Sequence, residues 1–445
     1  MPVQLATPLR LVGCVCLALL LWAGVPAHGD GAVFGLDCLP GRPLNFGYLN
    51  AIRSGQPASR EIPQLNYHAI DAVILGFVEP RTNASLNLNL GAFATYAPLL
   101  VTHSHRHRKA CLMSLGGGFS ADPNPFSVIA ARADLRARFA SNILHSMIQM
   151  GFDGVDIDYE FPRTDTQREE FTLLMRDLHA RIKASNSNYI VMFGASPGFY
   201  INRYDWFRLR EYSDFAFYFG YDWKNPANGP MTQPGSLQFL SGGSEVIEAS
   251  CRGALRHIIS SGYPPSKILM GIPFYSSANR SWLGIRDTWL SRRQQFLTAM
   301  HPDFRESLHE GEWWNTPDTI PHKLAAVLDR SRSVLGGRNT LRGVGIWEFG
   351  HESAKDPDLS QAIGNWMDAR YCDPASPVPP VRIHLVANQS FRLHFPDTNG
   401  CSYVVEASRD LEQWEPVFES RSHRAVFEYQ APLTNRAAFH RVRRN

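Results

Sequence analysis

Gly151-Phe152-Asp153-Gly154-Val155-Asp156-Ile157-Asp158-Tyr159-Glu160-Phe161-Pro162 is the stretch from which the rest of the chain can be read. Acidic and apolar residues alternate from Val155 to Glu160, the period of a β-strand. Asp156, Asp158 and Glu160 therefore share one face, and Val155, Ile157 and Tyr159 share the other. The β-branched and aromatic set suits packing against helices outside a sheet. The three acids then point into an enclosed interior and climb toward the C-terminal end of the strand. Successive same-face residues lie about 6.6 Å apart along a strand. Carboxylates that close cannot all ionise cheaply, so at least one pKa has to rise, and a general acid working near neutral pH needs such a rise. The competing readings are a solvated acidic face or a hard-cation site. Cation loops use irregular backbone and Gly turns rather than a strand with Val and Ile interleaved. The stretch thus reads as catalytic, with no metal and no cofactor.

Around this strand, short apolar runs alternate with amphipathic stretches. Strands are expected at Asn45–Leu49, Ala72–Phe77, Ala110–Leu115, Gly154–Tyr159, Ile190–Ala195, Phe215–Tyr221, Ile268–Pro273 and Val344–Trp347. Helical periodicity falls between them, at Asp134–Met150, Thr166–Ala184, Ser244–Ser261, Thr319–Val334 and Asp358–Ala369. Eightfold strand–helix alternation predicts an α/β fold with parallel strands and crossover helices. Residues 43–371 suit a (β/α)8 TIM barrel, and no Gly-rich phosphate fingerprint follows the first strand to favour an open doubly wound sheet. Asp373-Pro374-Ala375-Ser376-Pro377-Val378-Pro379-Pro380 is a stiff linker. Beyond it, residues 381–445 read as a small all-β, sandwich-like module with runs at Arg382–Phe395, Ser402–Ala407, Trp414–Phe418 and Ala425–Tyr429.

The 445 residues are 44% hydrophobic and 19% charged, enough apolar material for a packed core. With 44 Lys and Arg against 41 Asp and Glu, the net charge of +3 offers no concentrated basic field for nucleic acid. Met1 to Arg10 holds one basic residue and no acid, Leu11 to Val25 is wholly apolar, and Val25-Pro26-Ala27 supplies small residues for cleavage. Residues 1–29 are expected to be a secretory signal peptide, because 15 apolar residues fall short of the ~20 that span a bilayer. The mature chain would be secreted, monomeric and free of a membrane span. Cys38, Cys111, Cys251, Cys372 and Cys401 are too few and too scattered for a disulfide framework, so buried free thiols are expected. His103-Ser104-His105-Arg106-His107-Arg108 reads as a solvated turn, since interleaved Arg disfavours a bound cation. Asn83-Ala84-Ser85, Asn279-Arg280-Ser281 and Asn388-Gln389-Ser390 are glycosylation sequons.

Asp153-Gly154-Val155-Asp156-Ile157-Asp158-Tyr159-Glu160 resembles the D-G-x-D-x-D-x-E signature of family 18 glycoside hydrolases, the chitinase family. Ser114-Leu115-Gly116-Gly117 is similar to that family's S-x-G-G. Tyr221-Asp222 is similar to its M-x-Y-D, with Phe219 where Met is usual. Lys267 to Tyr275 and Gly343 to Glu348 resemble its seventh and eighth strands. The resemblance implies a chitin or related N-acetylglucosamine glycan as substrate, with the N-acetyl group as nucleophile. It implies Glu160 as general acid, Asp158 as the group that orients the acetamide, and Asp156 as the support beneath it. Tyr221 would hydrogen-bond the acetamido carbonyl and Trp347 would floor the sugar. Tyr48, Asp222 and Tyr275 would line the same subsite. Asp153, Ser114, Gly116 and Gly117 would support it structurally. Ser276-Ser277 follows Tyr275 where many members have Gly-Arg. About 43 residues separate Tyr275 from the next helix, too few for the extra α+β domain of some members. Trp282, Trp289, Trp313 and Trp314 lie in that interval and suit either sugar stacking or a local cluster. An endo-β-N-acetylglucosaminidase on N-glycans or cell-wall glycan fits the same mechanism. A non-catalytic lectin on this barrel is disfavoured by the presence of Glu160.

Overall fold

The computed structural model describes residues 42–371 except 53–57, 90, 119–122, 199, 223–236, 240–245, 249, 299–306, 337–338 and 354. Between 382 and 444 it describes six strands together with residues 413 and 414. The expected signal segment 1–29, the linker 373–380, Asn388 and the cysteines at 38, 372 and 401 lie outside the described residues.

Eight strands form a closed parallel barrel: Leu44–Asn50 (β1), Ala72–Pro80 (β2), Ala110–Gly117 (β3), Gly154–Tyr159 (β4), Ile190–Ala195 (β5), Phe215–Tyr218 (β6), Ile268–Pro273 (β7) and Gly343–Trp347 (β8). Each pairs with the next in sequence, and β8 returns to β1 with Gly47 opposite Ile346. The alternation read from the sequence is realised. Phe46, Ile74, Leu112, Met192, Phe217 and Leu269 fill the lumen as one cluster. Val155, Ile157 and Tyr159 belong to the separate outer core between strands and helices. There the Tyr159 ring lies 5.2 Å from Phe126 and 6.0 Å from Phe171. Burying three such side chains contributes on the order of 1.5–3 kcal/mol each.

Several boundaries differ from expectation. The helix expected from Ser244 runs from Cys251 to Ser260, because the Ser250 hydroxyl accepts from Gly253 N and caps it there. The helix expected to reach Val334 ends at Leu328. Asp329 leaves the helical conformation and its Oδ1 takes the backbone N–H and hydroxyl of Ser331, an Asx turn. β6 stops at Tyr218, where its ladder to β7 ends, so Tyr221 stands three residues past the strand. The His run is not a solvated turn. His103 to Arg106 complete the helix Phe93–Arg106, and His105 Nε2 lies 2.8 Å from Asp153 Oδ2. His107 stacks on Tyr67 at 4.4 Å. Asp153 sits just before β4, and the helix that leads into β3 brings the His105 imidazole to it at the base of the barrel.

Between β7 and β8 the chain forms a helix, Arg286–Thr298, and a hairpin of Ser307–His309 with Glu312–Trp314. Trp282, Trp289 and Trp314 are buried here, with ring centroids 5.5 and 6.5 Å apart. They form a local cluster rather than a sugar platform. Cys111 and Cys251 are buried thiols that form no disulfide. The C-terminal strands Arg382–Val386, Ser390–Pro396, Ser402–Ser408, Glu415–Arg421, Val426–Pro432 and Phe439–Arg444 (β9–β14) make two three-stranded antiparallel sheets, β9-β10-β13 and β12-β11-β14. The sequence reading merged β9 with β10 and placed no strand at β14. Among the described residues no helix is long and apolar enough to cross a membrane.

Candidate active site

The alternation of β4 sends Asp156 and Asp158 into the lumen, both fully buried, and brings Glu160 to the rim just past the strand end. Ser114 stands opposite Asp156 and Gly116 opposite Asp158 in the β3–β4 register. Ser114 Oγ donates to Asp156 Oδ2 at 2.6 Å, and Tyr48 Oη donates to the same oxygen at 2.9 Å from β1. Gly116 (φ +117°) and Gly117 (φ +91°) turn β3 into a conformation L side chains rarely adopt. A Cβ on Gly116 would lie 2.1 Å from the Asp158 carbonyl oxygen, so the strands meet this closely only with glycine there. On the other side, a Cβ on Gly194 would lie 2.9 Å from Asp158 Oδ1. Glycine thus makes room for Asp158 from both neighbouring strands, for its backbone carbonyl beside β3 and for its carboxyl beside β5.

The two buried carboxyls differ in their surroundings. Burial raises Asp156 to about 6, and the hydrogen bonds from Ser114 and Tyr48 oppose that rise. Asp158 is raised well above the usual carboxylate range by burial, then by the charges of Glu160 and Asp156. Its Oδ1 has no hydrogen-bond partner among the described residues. Burial and neighbouring acids also push Tyr48 and Tyr221 upward, so both remain neutral phenols able to donate.

Above the pair opens a cleft of about 340 Å³, lined by Asp158, Glu160, Tyr221, Asp222, Tyr275 and Trp347 among others. A pocket of this size lies in the range that takes small ligands. Tyr221 and Trp347 stack with centroids 6.2 Å apart. Tyr275 Oη donates to Asp222 Oδ1 at 2.5 Å, and Asp222 takes φ +60° immediately after Tyr221. A half-buried indole face next to paired carboxyls suits a sugar ring: apolar beneath, with polar groups converging from the sides.

Six sequence-predicted residues therefore share the cleft. Tyr48 does not line it: 1% exposed, it lies beneath the floor with its ring 5.2 Å from Trp347 and its hydroxyl on Asp156. Its length carries it across the lumen rather than up to the rim. Asp153 is remote from the cleft and accepts from Cys111 N at 2.8 Å as well as meeting His105. Sequence reasoning missed Asn50, Phe77, Gly118, Phe219, Asn279 and His351, which also line the cleft. The available signal was position, since Asn50 ends β1, Gly118 follows β3 and Phe77 lies in the C-terminal half of β2, toward the end where barrel enzymes keep their chemistry. Asn279 lies in a turn and His351 closes the short 3-10 helix Phe349–His351, and neither carried such a signal.

A sequence profile described as Glycosyl hydrolases family 18 matches residues 46–352. The chain is 28% identical over 182 residues to a Drosophila melanogaster protein named Probable chitinase 2, covering 39% of this chain and 35% of that one. It is 28% identical over 185 residues to the Class V chitinase of Arabidopsis thaliana, covering 38% and 45%. The chain thus matches less than half the length of these curated relatives. In fold it resembles the crystal structure of a class V chitinase from Nicotiana tobaccum, with a TM-score of 0.59 and 16% identity. That similarity covers 73% of this chain and 99% of the other.

Proposed function

Since the chain belongs to family 18 of the glycosyl hydrolases, we propose that it hydrolyses β-1,4-linked N-acetylglucosamine in chitin or chitooligosaccharides, retaining the anomeric configuration. The observation that carries this reading is the buried, pKa-raised Asp158, whose Oδ1 lacks a partner among the described residues and which faces an aromatic-floored cleft beside Glu160. In this reading the acetamido carbonyl oxygen of the bound sugar attacks its own C1, and Glu160 gives its proton to the departing glycosidic oxygen. An oxazolinium ion results. Asp158 orients the acetamide and offsets the positive charge, and Tyr221 donates to the acetamido oxygen. Water then attacks C1 and returns a proton to Glu160, regenerating the acetamide. Asp156, held by Ser114 and Tyr48, keeps Asp158 in place from below. Trp347 supplies the apolar floor.

The deciding assay compares soluble N-acetylchitooligosaccharides with a high-mannose glycopeptide. Cleavage of the oligosaccharides with a β product is the expected result. Cleavage of the glycopeptide alone would assign an endo-β-N-acetylglucosaminidase instead, and tight binding without cleavage a lectin. The basic start and apolar run of residues 1–29 support export of the mature chain, which we expect to be a monomer. N-terminal sequencing and light scattering of the secreted product test both points.

A further inference from the structure

A second layer of polar contacts brackets the segment that carries Glu160, and no step described so far uses it. Glu160 lies between Tyr159, the last residue of β4, and the loop Phe161-Pro162-Arg163 that leads into the helix Asp165–Ser185. That helix opens with Thr164, whose Oγ1 accepts from Gln167 N at 3.1 Å. In a standard capping box the residue in the place of Gln167 reaches back to the N-cap N–H. Here it reaches one residue further, and Gln167 Oε1 accepts from Arg163 N at 2.7 Å. The other end of the same amide points elsewhere: Gln167 Nε2 donates to Ser127 Oγ at 3.3 Å. Ser127 belongs to the helix Pro125–Ala131 that follows β3, and its Oγ lies 2.7 Å from Tyr159 Oη. The chain of bonds Tyr159–Ser127–Gln167–Arg163 thus closes a ring around Glu160-Phe161-Pro162 without touching the cleft.

We propose that Gln167, with Ser127, is a positioning residue that fixes Glu160 by clasping the backbone on both sides of it. This rests on the reading of Glu160 as the general acid. An amide is the side chain the place requires, since it has to accept from Arg163 N and donate to Ser127 Oγ at once. The Nε2 bond to Ser127 is part-buried and the Oε1 bond to Arg163 N is exposed, so water replaces the first less readily than the second. Proton transfer depends on the acid standing within hydrogen-bond reach of the leaving oxygen. A clasp of this kind therefore acts on turnover rather than on sugar binding.

The test compares Gln167→Met, which keeps length and volume but neither bond, with Gln167→Glu, which keeps an oxygen to accept from Arg163 N. On a fluorogenic N-acetylchitooligosaccharide, Gln167→Met should lower kcat about tenfold or more, with KM within about twofold, since small misplacements of a catalytic group are costly. Gln167→Glu should recover at least half of that loss on a logarithmic scale. Ser127→Ala combined with Gln167→Met should be no worse than Gln167→Met alone, because both break the same ring. Wild-type kcat in Gln167→Met, a loss confined to KM, or equal losses in Met and Glu variants would overturn the clasp. Glu160→Gln measured alongside keeps the two claims apart. If it is inactive while Gln167→Met is normal, only the clasp fails; if it is active, the general-acid reading and the clasp fall together.

Discussion

Tyr48 on β1 donates its phenol proton across the barrel lumen to Asp156 Oδ2 at 2.9 Å, beside a second donor from Ser114. Asp156 is two residues from Asp158 on the same strand, yet among the described residues only Asp156 takes such donors, both on Oδ2, while Oδ1 of each carboxyl has none. The two carboxyls are thereby set apart, one held as an acceptor and the other pressed toward its neutral form. Environments that drive paired acids apart in this way are how one fold assigns different tasks to identical side chains.

This difference predicts the pH dependence of stability in Asp158→Asn. A carboxyl whose folded pKa lies above its unfolded value stabilises the fold below the unfolded pKa, and that contribution is lost as pH rises through the folded one. For Asp158 the loss begins above the ordinary value near 4 and continues upward, because its pKa is well raised. The amide of the variant does not titrate. The melting temperature of the variant relative to wild type should therefore be higher at pH 8 than at pH 4. A difference that stays flat with pH would contradict the assignment of a raised pKa.

Glu160→Gln should fold normally and lose at least about a hundredfold in turnover, the lower end of what a general acid contributes. The amide has the same shape but no acidic proton. Circular dichroism and initial rates on soluble oligosaccharide check this, and activity within tenfold of wild type would sink the role given to Glu160.

The nucleophile is tested by the substrate rather than by the protein. If the acetamido oxygen attacks, fully deacetylated chitosan and cellulose oligomers have no nucleophile at the cleaved residue. Thiazolines that imitate the oxazolinium ion should inhibit, because they resemble the charged intermediate and not the ground state. A trapped glycosyl ester on Asp158, found by mass spectrometry, would transfer the reaction to the ordinary two-carboxylate route.

Removing residues 376–445 should leave activity on soluble oligosaccharides nearly unchanged. The family match ends at residue 352, and the intervening Pro-rich stretch offers little apolar material for contacts across it. Loss of more than half the rate, or failure of the truncated barrel to fold, would make the β module part of the enzyme proper.

Asn279 turns a sequon into a question of access. It is exposed, sits at φ +62° in the turn after β7, and lines the cleft. In a host that adds glycans to Asn-x-Ser, a bulky sugar there should obstruct long substrates more than short ones. Asn279→Gln should raise the ratio of polymer to oligomer rates back to that of the unglycosylated chain. Full occupancy by mass spectrometry with an unchanged ratio would show that the cleft tolerates the glycan.

Much of the site was already legible along the chain. Period-two alternation needs no tertiary information, so Val155, Ile157 and Tyr159 could be assigned outward and Asp156 and Asp158 inward from spelling alone. Eight repeats of strand and helix did the same for the barrel. Boundaries were less legible, because they turn on single side chains: the Ser250 cap moved one helix start, and the Asp329 turn ended another early.

The amino-acid order by itself determined that three acids rise along one face of a strand and that this strand belongs to a parallel α/β barrel, because side-chain direction and strand–helix alternation are local properties of the backbone. Only the tertiary structure decided which acid is compensated and which is not. Tyr48 lies 108 residues from Asp156, and its hydroxyl serves that carboxylate instead of the cleft. His105 meets Asp153 at the foot of the barrel, and Gln167 reaches both Arg163 and Ser127. Charge compensation in a buried site depends on distances between atoms far apart in sequence, and those distances exist only once the barrel has closed.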